Sequence, residues 1–512
     1  MRHPVKRNDM RILTTDQIRR VESLCFERYS TEAELMLKAG TACFEAMTEK
    51  YDMKSKTVSV LCGNGKNAGD GFVIARLLKA YGAEAEIILC DKSPSIDEPL
   101  MYYKQALESG VPVKNYVSDD GAVLKADFVV DTMFGIGFHG EPRAPFDSVF
   151  EALGKSSATV ISVDTPSGTD STTGAVCKNC VRADFTIAVS TLKFAHVLPP
   201  SNSFCGETVT VNIGIPEDCY EEEYAETIEK EDIKKLFKKR DKNANKGSFG
   251  HQLNICGSFR MFGAAVIATK AALRSGAGLV KLTVPASAYP LAAAHLTQPV
   301  FNPVYETEEG TFSASAVAGI IKDLPWADSI VIGCGIGNNE DTAAVVKAVC
   351  ENANCPLIID ADGINSLNMS ISILRDIKAP VVLTPHPGEM ARLISKQVAE
   401  IQADRINTAK AFAKENGIIL VLKGANTVVT DGYSVFVNTT GNPGMAMGGS
   451  GDMLSGMLGA FAAQGIPLYE AAKAAVYIHG LCGDITAREL SERGMLVSDM
   501  TERLGALMSE FE

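Results

Sequence analysis

A repeating alternation of short apolar runs with helical intervals constrains this chain more than any other feature. Thr57–Cys62, Ala85–Cys90, Phe128–Asp131, Val160–Asp164 and Phe185–Ser190 are rich in β-branched residues, and each gives way to polar or glycine residues. The pattern resumes with Gln252–Cys256, Leu279–Val284, Ser329–Ile332, Leu357–Asp360, Val381–Thr384 and Ile418–Leu422. Near-continuous apolar runs of this length predict strands covered on both faces, as in a parallel sheet. Gly71–Tyr81 and Gly263–Arg274 predict helices, and Thr14-x-x-Gln17 is a capping box opening another. Repeated strand–helix alternation predicts an α/β fold.

A chain of 512 residues exceeds what one hydrophobic core organises, so more than one domain is expected. The seam falls around 216–245, where a Glu-dense run is followed by Lys234, Lys235, Lys238, Lys239, Arg240, Asp241 and Lys242. That segment reads as a solvated linker and the outer face of a short helix. Two α/β domains are therefore expected, 1–225 and 226–512. Met1–Asp9 reads as a short extension before a second plausible start at Met10. The first thirty residues are too charged for a signal peptide, and no apolar stretch is long enough to span a membrane. Thirteen scattered cysteines then read as reduced cytoplasmic thiols, and Cys177-x-x-Cys180 has no second pair at zinc-site spacing. The net charge of −13 argues against nucleic acid or an anionic membrane as partner. Any anionic small molecule must be held by local dipoles and single cations.

The first strand runs into Gly63-Asn64-Gly65-Lys66-Asn67-Ala68-Gly69-Asp70-Gly71, and a helix follows. Such a turn offers backbone N–H groups and a helix N-terminus to a phosphate. Gly63-x-Gly65-x-x-Ala68 with Asp91 also fits a dinucleotide fingerprint, so a Rossmann dehydrogenase is a rival. Two further strand ends reach the same sheet edge, Asp131 through Gly135-Ile136-Gly137-Phe138-His139-Gly140-Glu141 and Asp164 through Ser167-Gly168. Asn67, Asp131 and Ser167 offer oxygen ligands of the kind hard cations prefer. Asp70 and Asp164 form a carboxylate pair suited to acid–base work.

In the second half, Gly448-Gly449-Ser450-Gly451-Asp452 precedes an apolar helix. Amides at such a helix start can hold a transferring phosphoryl group, with Asp452 placed to take a proton from a hydroxyl. Lys423-Gly424-Ala425-Asn426-Thr427 follows a strand and is a candidate nucleotide loop, and Gly333–Gly337 and Thr384–Glu389 also follow strands. A vitamin or sugar kinase fused to a Rossmann-like domain fits these motifs too. So does a binding module whose first half no longer catalyses.

These motifs, in this order, resemble those of the bifunctional NAD(P)H-hydrate repair enzymes, an epimerase fused to a dehydratase. The resemblance runs from Met10 to the end of the chain. It rests on Lys66–Gly71, Asp131, Val163–Gly168, Lys246–Gly250, Arg274–Val280, His386–Glu389, Lys423–Thr427 and Gly448–Asp452. Lys66 and Ala68 stand where the family has Asn and Gly, and Gly333-Cys334-Gly335-Ile336-Gly337 stands for Gly-Pro-Gly-Leu-Gly. The resemblance implies a Rossmann-like three-layer domain followed by a ribokinase-like one. It implies a K⁺ site at Asn67, Asp131 and Ser167. Hydrate-binding positions would be Lys66, Asn67, Ala68, Gly69, Asp70, Asp164 and the loop Gly135, Ile136, Gly137, Phe138, His139, Gly140, Glu141. In the dehydratase half, Ala277, Gly337 and His386 would contact the hydrate. Lys423, Gly424, Ala425, Asn426, Thr427 and Gly451 would contact the nucleotide, and Asp452 would be the catalytic base. The substrates implied are the hydrates of NADH and NADPH (NADHX and NADPHX), with ADP as donor, Mg²⁺ at the dehydratase site, and a homo-oligomeric assembly.

Overall fold

The computed structural model describes residues 10–117, 125–220, 224–367 and 371–512. The Met1–Asp9 extension and residues 221–223 of the Glu-dense run lie outside it. The chain divides into two compact units, Met1–Glu226 and Thr227–Glu512.

In the first unit, seven parallel strands lie in the order Val113–Asn115, Glu84–Leu89, Thr57–Cys62, Phe128–Thr132, Thr159–Val163, Phe185–Val189, Glu207–Val211. Val58, Val60 and Cys62 face one apolar cluster and Leu61 faces another, so the sheet is covered on both sides. The chain first builds outward from Thr57–Cys62 in one direction, then returns to place Phe128–Thr132 on its other side. The direction of winding therefore reverses between these two strands, and a ligand crevice forms at their carboxyl ends. Helices Thr15–Arg28 and Glu32–Lys50 each begin with a capping box. Arg11–Leu13 pairs with Leu192–Lys193 and Ala225–Glu226 beside the main sheet.

The second unit holds seven parallel strands in the order Val300–Val304, Leu279–Pro285, His251–Ile255, Ser329–Ile332, Leu357–Ile359, Val381–Leu383, Ile419–Leu422. Two short antiparallel strands, Val428–Thr430 and Val435–Val437, continue that edge. Helix Ser450–Ala463 is buried from Met453 onward. It lies this close because Gly456 and Gly459 lack side chains. A Cβ at Gly456 would stand 2.1 Å from the Ala268 carbonyl oxygen, and one at Gly459 would stand 2.5 Å from Gln252 Nε2.

Each strand expected from the sequence is present within one residue at either end. The helix expected from Gly71 begins instead at Lys66. Glycines and polar residues in its first turns obscure the periodicity, so the first glycine stretch is mostly helix rather than loop.

Candidate functional sites at two sheet edges

At the carboxyl edge of the first sheet lies a cavity of about 460 Å³. Gly65 starts the helix Lys66–Tyr81 without a side-chain cap, so free backbone amides of the first turn are available to a ligand. Asn64, Gly65, Lys66, Asn67, Asp70, Gly135, Ile136, Gly137, Phe138 and Asp164 line the cavity. His139, Gly140, Glu141, Ala68 and Gly69 do not. His139 Nδ1 pairs with Asp170 at 2.7 Å, and Glu141 accepts from the Lys178 amide. Ala68 is packed in the core, and a Cβ on Gly69 would meet Met36 Sδ at 2.2 Å. The methyl of Ala68 is therefore a packing group.

Asp131 is 0% exposed. Its carboxylate accepts from Ser167 Oγ at 2.6 Å, Ser167 N at 2.9 Å, Ser162 Oγ at 3.0 Å and Met133 N at 3.2 Å. Burial raises its pKa despite these donors. No cationic side chain pairs with it among the described residues. Nearby, the carbonyl oxygens of Phe134 and Val163 converge on Asn67 Nδ2 at 2.9 and 3.3 Å. An amide can turn its oxygen to the same point. A buried, uncompensated carboxylate beside converging carbonyls fits a hard monovalent cation.

Asp164 has a φ of +70°, an unusual conformation for a residue with a side chain. Its Oδ1 receives Lys193 Nζ at 2.5 Å, and Lys193 itself is 1% exposed. Lys193 also donates to the carbonyls of Val189 and Thr191, which uses all three of its protons. His196 accepts from the Lys193 amide through Nδ1, so its Nε2–H donates to the Asp164 carbonyl at 2.7 Å. Burial holds His196 down at about 4, and it is neutral at pH 7. Asp70 is pushed well up, first by burial and then by the charge of Asp164. Lys193 and His196 were missed by motif reading. A lysine inside the run Leu192-Lys193-Phe194, just past a strand, was the available signal.

At the carboxyl edge of the second sheet, Lys423 Nζ donates to Asp360 Oδ1 at 2.7 Å, and Ser455 Oγ donates to Asp360 Oδ2 at 2.8 Å. Burial raises the pKa of Asp360, but the Lys423 charge and these hydrogen bonds outweigh it and lower the result. Glu389 lies 3.9 Å from Lys423 and accepts from the His386 amide. His386 caps its helix through Nδ1 and is half exposed. Asp452, in the first turn of helix Ser450–Ala463, is raised to about 6 by burial and then by Asp360. A Cβ on Gly451 would stand 3.3 Å from Lys423 Nζ, so the loop and helix start adjoin.

Ligand atoms of Cys334, Asp360 and Asp452 lie within 4.8 Å of one another. A thiol does not suit Mg²⁺, and Asp360 is already held, so Asp452 is the oxygen donor left. That fits a Mg²⁺ bound mainly by substrate phosphates. Gly337 donates its amide to Asp362 at 2.9 Å. In the nucleotide-loop candidate, Gly424 lies over buried Arg405, which donates to the carbonyls of Leu422 and Lys423. Asn426 donates to the Asn438 carbonyl, and Thr427 donates to the Gly424 carbonyl. Ala277 is placed elsewhere. It precedes Leu279–Pro285 at the amino edge and packs beside Ala272, Val280 and Ala460. Asp360 and Arg405 were also missed by motif reading.

Two parallel sheets, each with carboxylates at its carboxyl-edge crevice, define a two-domain α/β enzyme with a Rossmann-like half and a ribokinase-like half. Residues 253–505 match the family model of NAD(P)H-hydrate dehydratase, and residues 32–195 match that of the YjeF-related protein N-terminus. The chain belongs to the family of bifunctional NAD(P)H-hydrate repair enzymes. It is 32% identical to the member from Moorella thermoacetica, over 98% of this chain and 97% of that one. It is 33% identical to the member from Escherichia coli, over 99% and 96%. A solved ribokinase-like superfamily protein from Enterococcus faecalis matches 56% of this chain and 95% of its own, with 26% identity and a TM-score of 0.50. No helix among the described residues is long and apolar enough to cross a membrane.

Proposed function

We propose that this protein repairs hydrated NADH and NADPH in two successive steps. The first unit interconverts the R and S hydrates, with Asp164 and Asp70 acting at the reactive carbon. Lys66, the amides of the first helix turn and the loop from Gly135 hold the nucleotide part of the substrate. Asn67, Asp131 and Ser167, with the carbonyls beside them, hold K⁺, which supplies the counter-charge Asp131 lacks.

The second unit dehydrates the S hydrate at the expense of ADP. Asp452 takes the proton from the hydrate's hydroxyl as that oxygen is phosphorylated, turning a poor leaving group into a good one. Phosphate then departs and the dihydronicotinamide is restored. Gly451 and Lys423–Thr427 hold the nucleotide, Gly337 and His386 border the hydrate, and Mg²⁺, when bound, neutralises phosphate charge.

One observation supports this reading most. A single chain carries a carboxylate-lined cavity at one sheet's switch point and, at a helix start in the other unit, an aspartate whose pKa is raised to about 6. The test supplies ADP with pure S hydrate or with the equilibrated mixture. Wild type restores all dihydronicotinamide absorbance from both. Asp164→Asn clears S quickly but processes R only at the uncatalysed rate. Phosphorylation of a stable alcohol with the hydrate left untouched would make the protein a kinase instead.

A further inference from the structure

Besides Asp70 and Asp164, two further acids line the first cavity, Glu32, which pairs with Lys66, and Glu22. Helix Thr15–Arg28 buries Ile18, Val21 and Cys25, and Glu22 lies on that same side, four residues after Ile18. It lines the cavity together with Asp70 and Asp164. A carboxylate on the apolar face of an amphipathic helix is costly to keep unless it is used. Asp164 is tied to Lys193, whose protons are all engaged. Neither Glu22 nor Asp70 makes a side-chain hydrogen bond or ion pair with another described residue. The charged groups around Glu22 are Asp164 and Lys193, Lys66 and Glu32 (themselves paired at 2.6 Å), Asp70, and Arg19, which also lines the cavity and pairs with Asp16 at 3.7 Å. Lys193 is neutralised by Asp164 and Lys66 by Glu32. Two like acids then remain in one cavity without a counter-ion of their own, and such a pair holds on to one proton between them.

We infer that Glu22 is a catalytic residue of the epimerase site and shares with Asp70 the proton that leaves and returns during inversion. The inference rests on the epimerase reading of this cavity. In the substrate, the hydroxyl-bearing carbon is bonded to the ring nitrogen. The protonated acid of the pair gives its proton to the hydroxyl, the C–O bond breaks, and water departs. The nitrogen lone pair forms a planar iminium, whose charge the Asp164 carboxylate stabilises. Water adds to the opposite face, forming a new C–O bond as the nitrogen recovers its lone pair. The other acid, ionised until then, takes the proton. Proton and water counts are unchanged, and each turnover leaves the pair ready for the reverse direction.

The test follows epimerisation of the pure R hydrate in heavy-oxygen water by the full-length protein. Wild type is expected to incorporate solvent oxygen at each inversion and to show a bell-shaped pH profile. Glu22→Gln should lower both inversion and oxygen uptake by roughly 100-fold. It should also remove one limb of the bell, while ADP-dependent recovery from the S hydrate stays unchanged. Glu22→Asp, which keeps the acid, should restore the bell at a reduced rate, and it decides the matter if the Gln variant does not fold. Inversion without oxygen uptake, a Gln variant equal to wild type in rate and pH profile, or an Asp variant with wild-type rate overturns the inference and leaves the epimerase reading standing. A wild type that does not invert the hydrate at all overturns both.

Discussion

The two sites share an architecture and differ in how they spend a buried lysine. In the first unit Lys193 is consumed by Asp164, and the remaining cavity acid from the glycine stretch, Asp70, is held well above the ordinary carboxylate range. In the second unit Lys423 is consumed by Asp360, the most deeply buried acid there. Asp452 is left near 6, ionised at neutral pH yet still basic enough to accept a proton. One arrangement favours a protonated acid and the other leaves a carboxylate that is largely ionised at neutral pH. The difference matches two chemistries, one that must return a hydroxyl and one that must deprotonate it.

The largest effect expected from breaking this contrast is at Asp452. Asp452→Asn should lower ADP-dependent dehydration by roughly 1,000-fold or more while inversion of R to S stays within about twofold of wild type, followed by separate assays of the two steps. Next come the lysines. Lys423→Met leaves Asp360 buried and unpaired and should cost about 3–5 kcal/mol in the denaturant unfolding of the second unit. Lys193→Met should cost less, because Asp164 faces a cavity that admits water.

Asp452→Asn should itself stabilise the fold. The folded pKa of Asp452, about 6, lies above the ordinary aspartate value of 3.8. The contribution tied to the neutral form is thus fully present below the unfolded pKa and lost as pH rises through the folded one. Removing the charge should gain roughly 1–3 kcal/mol at pH 8 and little at pH 3, measured by denaturation at both. The same value sets the rate of dehydration, which should rise with pH through about 6 as Asp452 ionises. The smallest effect belongs to Lys66→Ala, whose exposed ammonium pairs with a partly buried Glu32. It should change stability by less than about 1 kcal/mol and appear mainly as weaker hydrate binding.

The strands were legible because buried parallel strands need unbroken β-branched runs, and their ends were legible because turns need glycine and polar residues. Asp452 and Asp70 stood out as candidates because each sits in such a glycine-rich segment. Their partners did not, because a buried pair joins residues far apart in the chain. Asp360 closes a run that reads as a strand, but Lys423 is 63 residues away, and spacing carries no trace of their meeting. Glu22 and His196 escaped for a related reason. Each lies within an ordinary-looking segment, and only the fold turns it toward a site. Residues 139–141 show the opposite case, where the motif runs on past Phe138, the last residue of the loop to line the cavity.

The most direct test of two separate sites on one chain is complementation between Asp164→Asn and Asp452→Asn proteins given pure R hydrate and ADP. Each variant alone should restore NADH no faster than the spontaneous R-to-S conversion allows or not at all, while their mixture should restore it at an enzymatic rate. A mixture no better than the variants apart, or either variant alone matching wild type, would contradict the account.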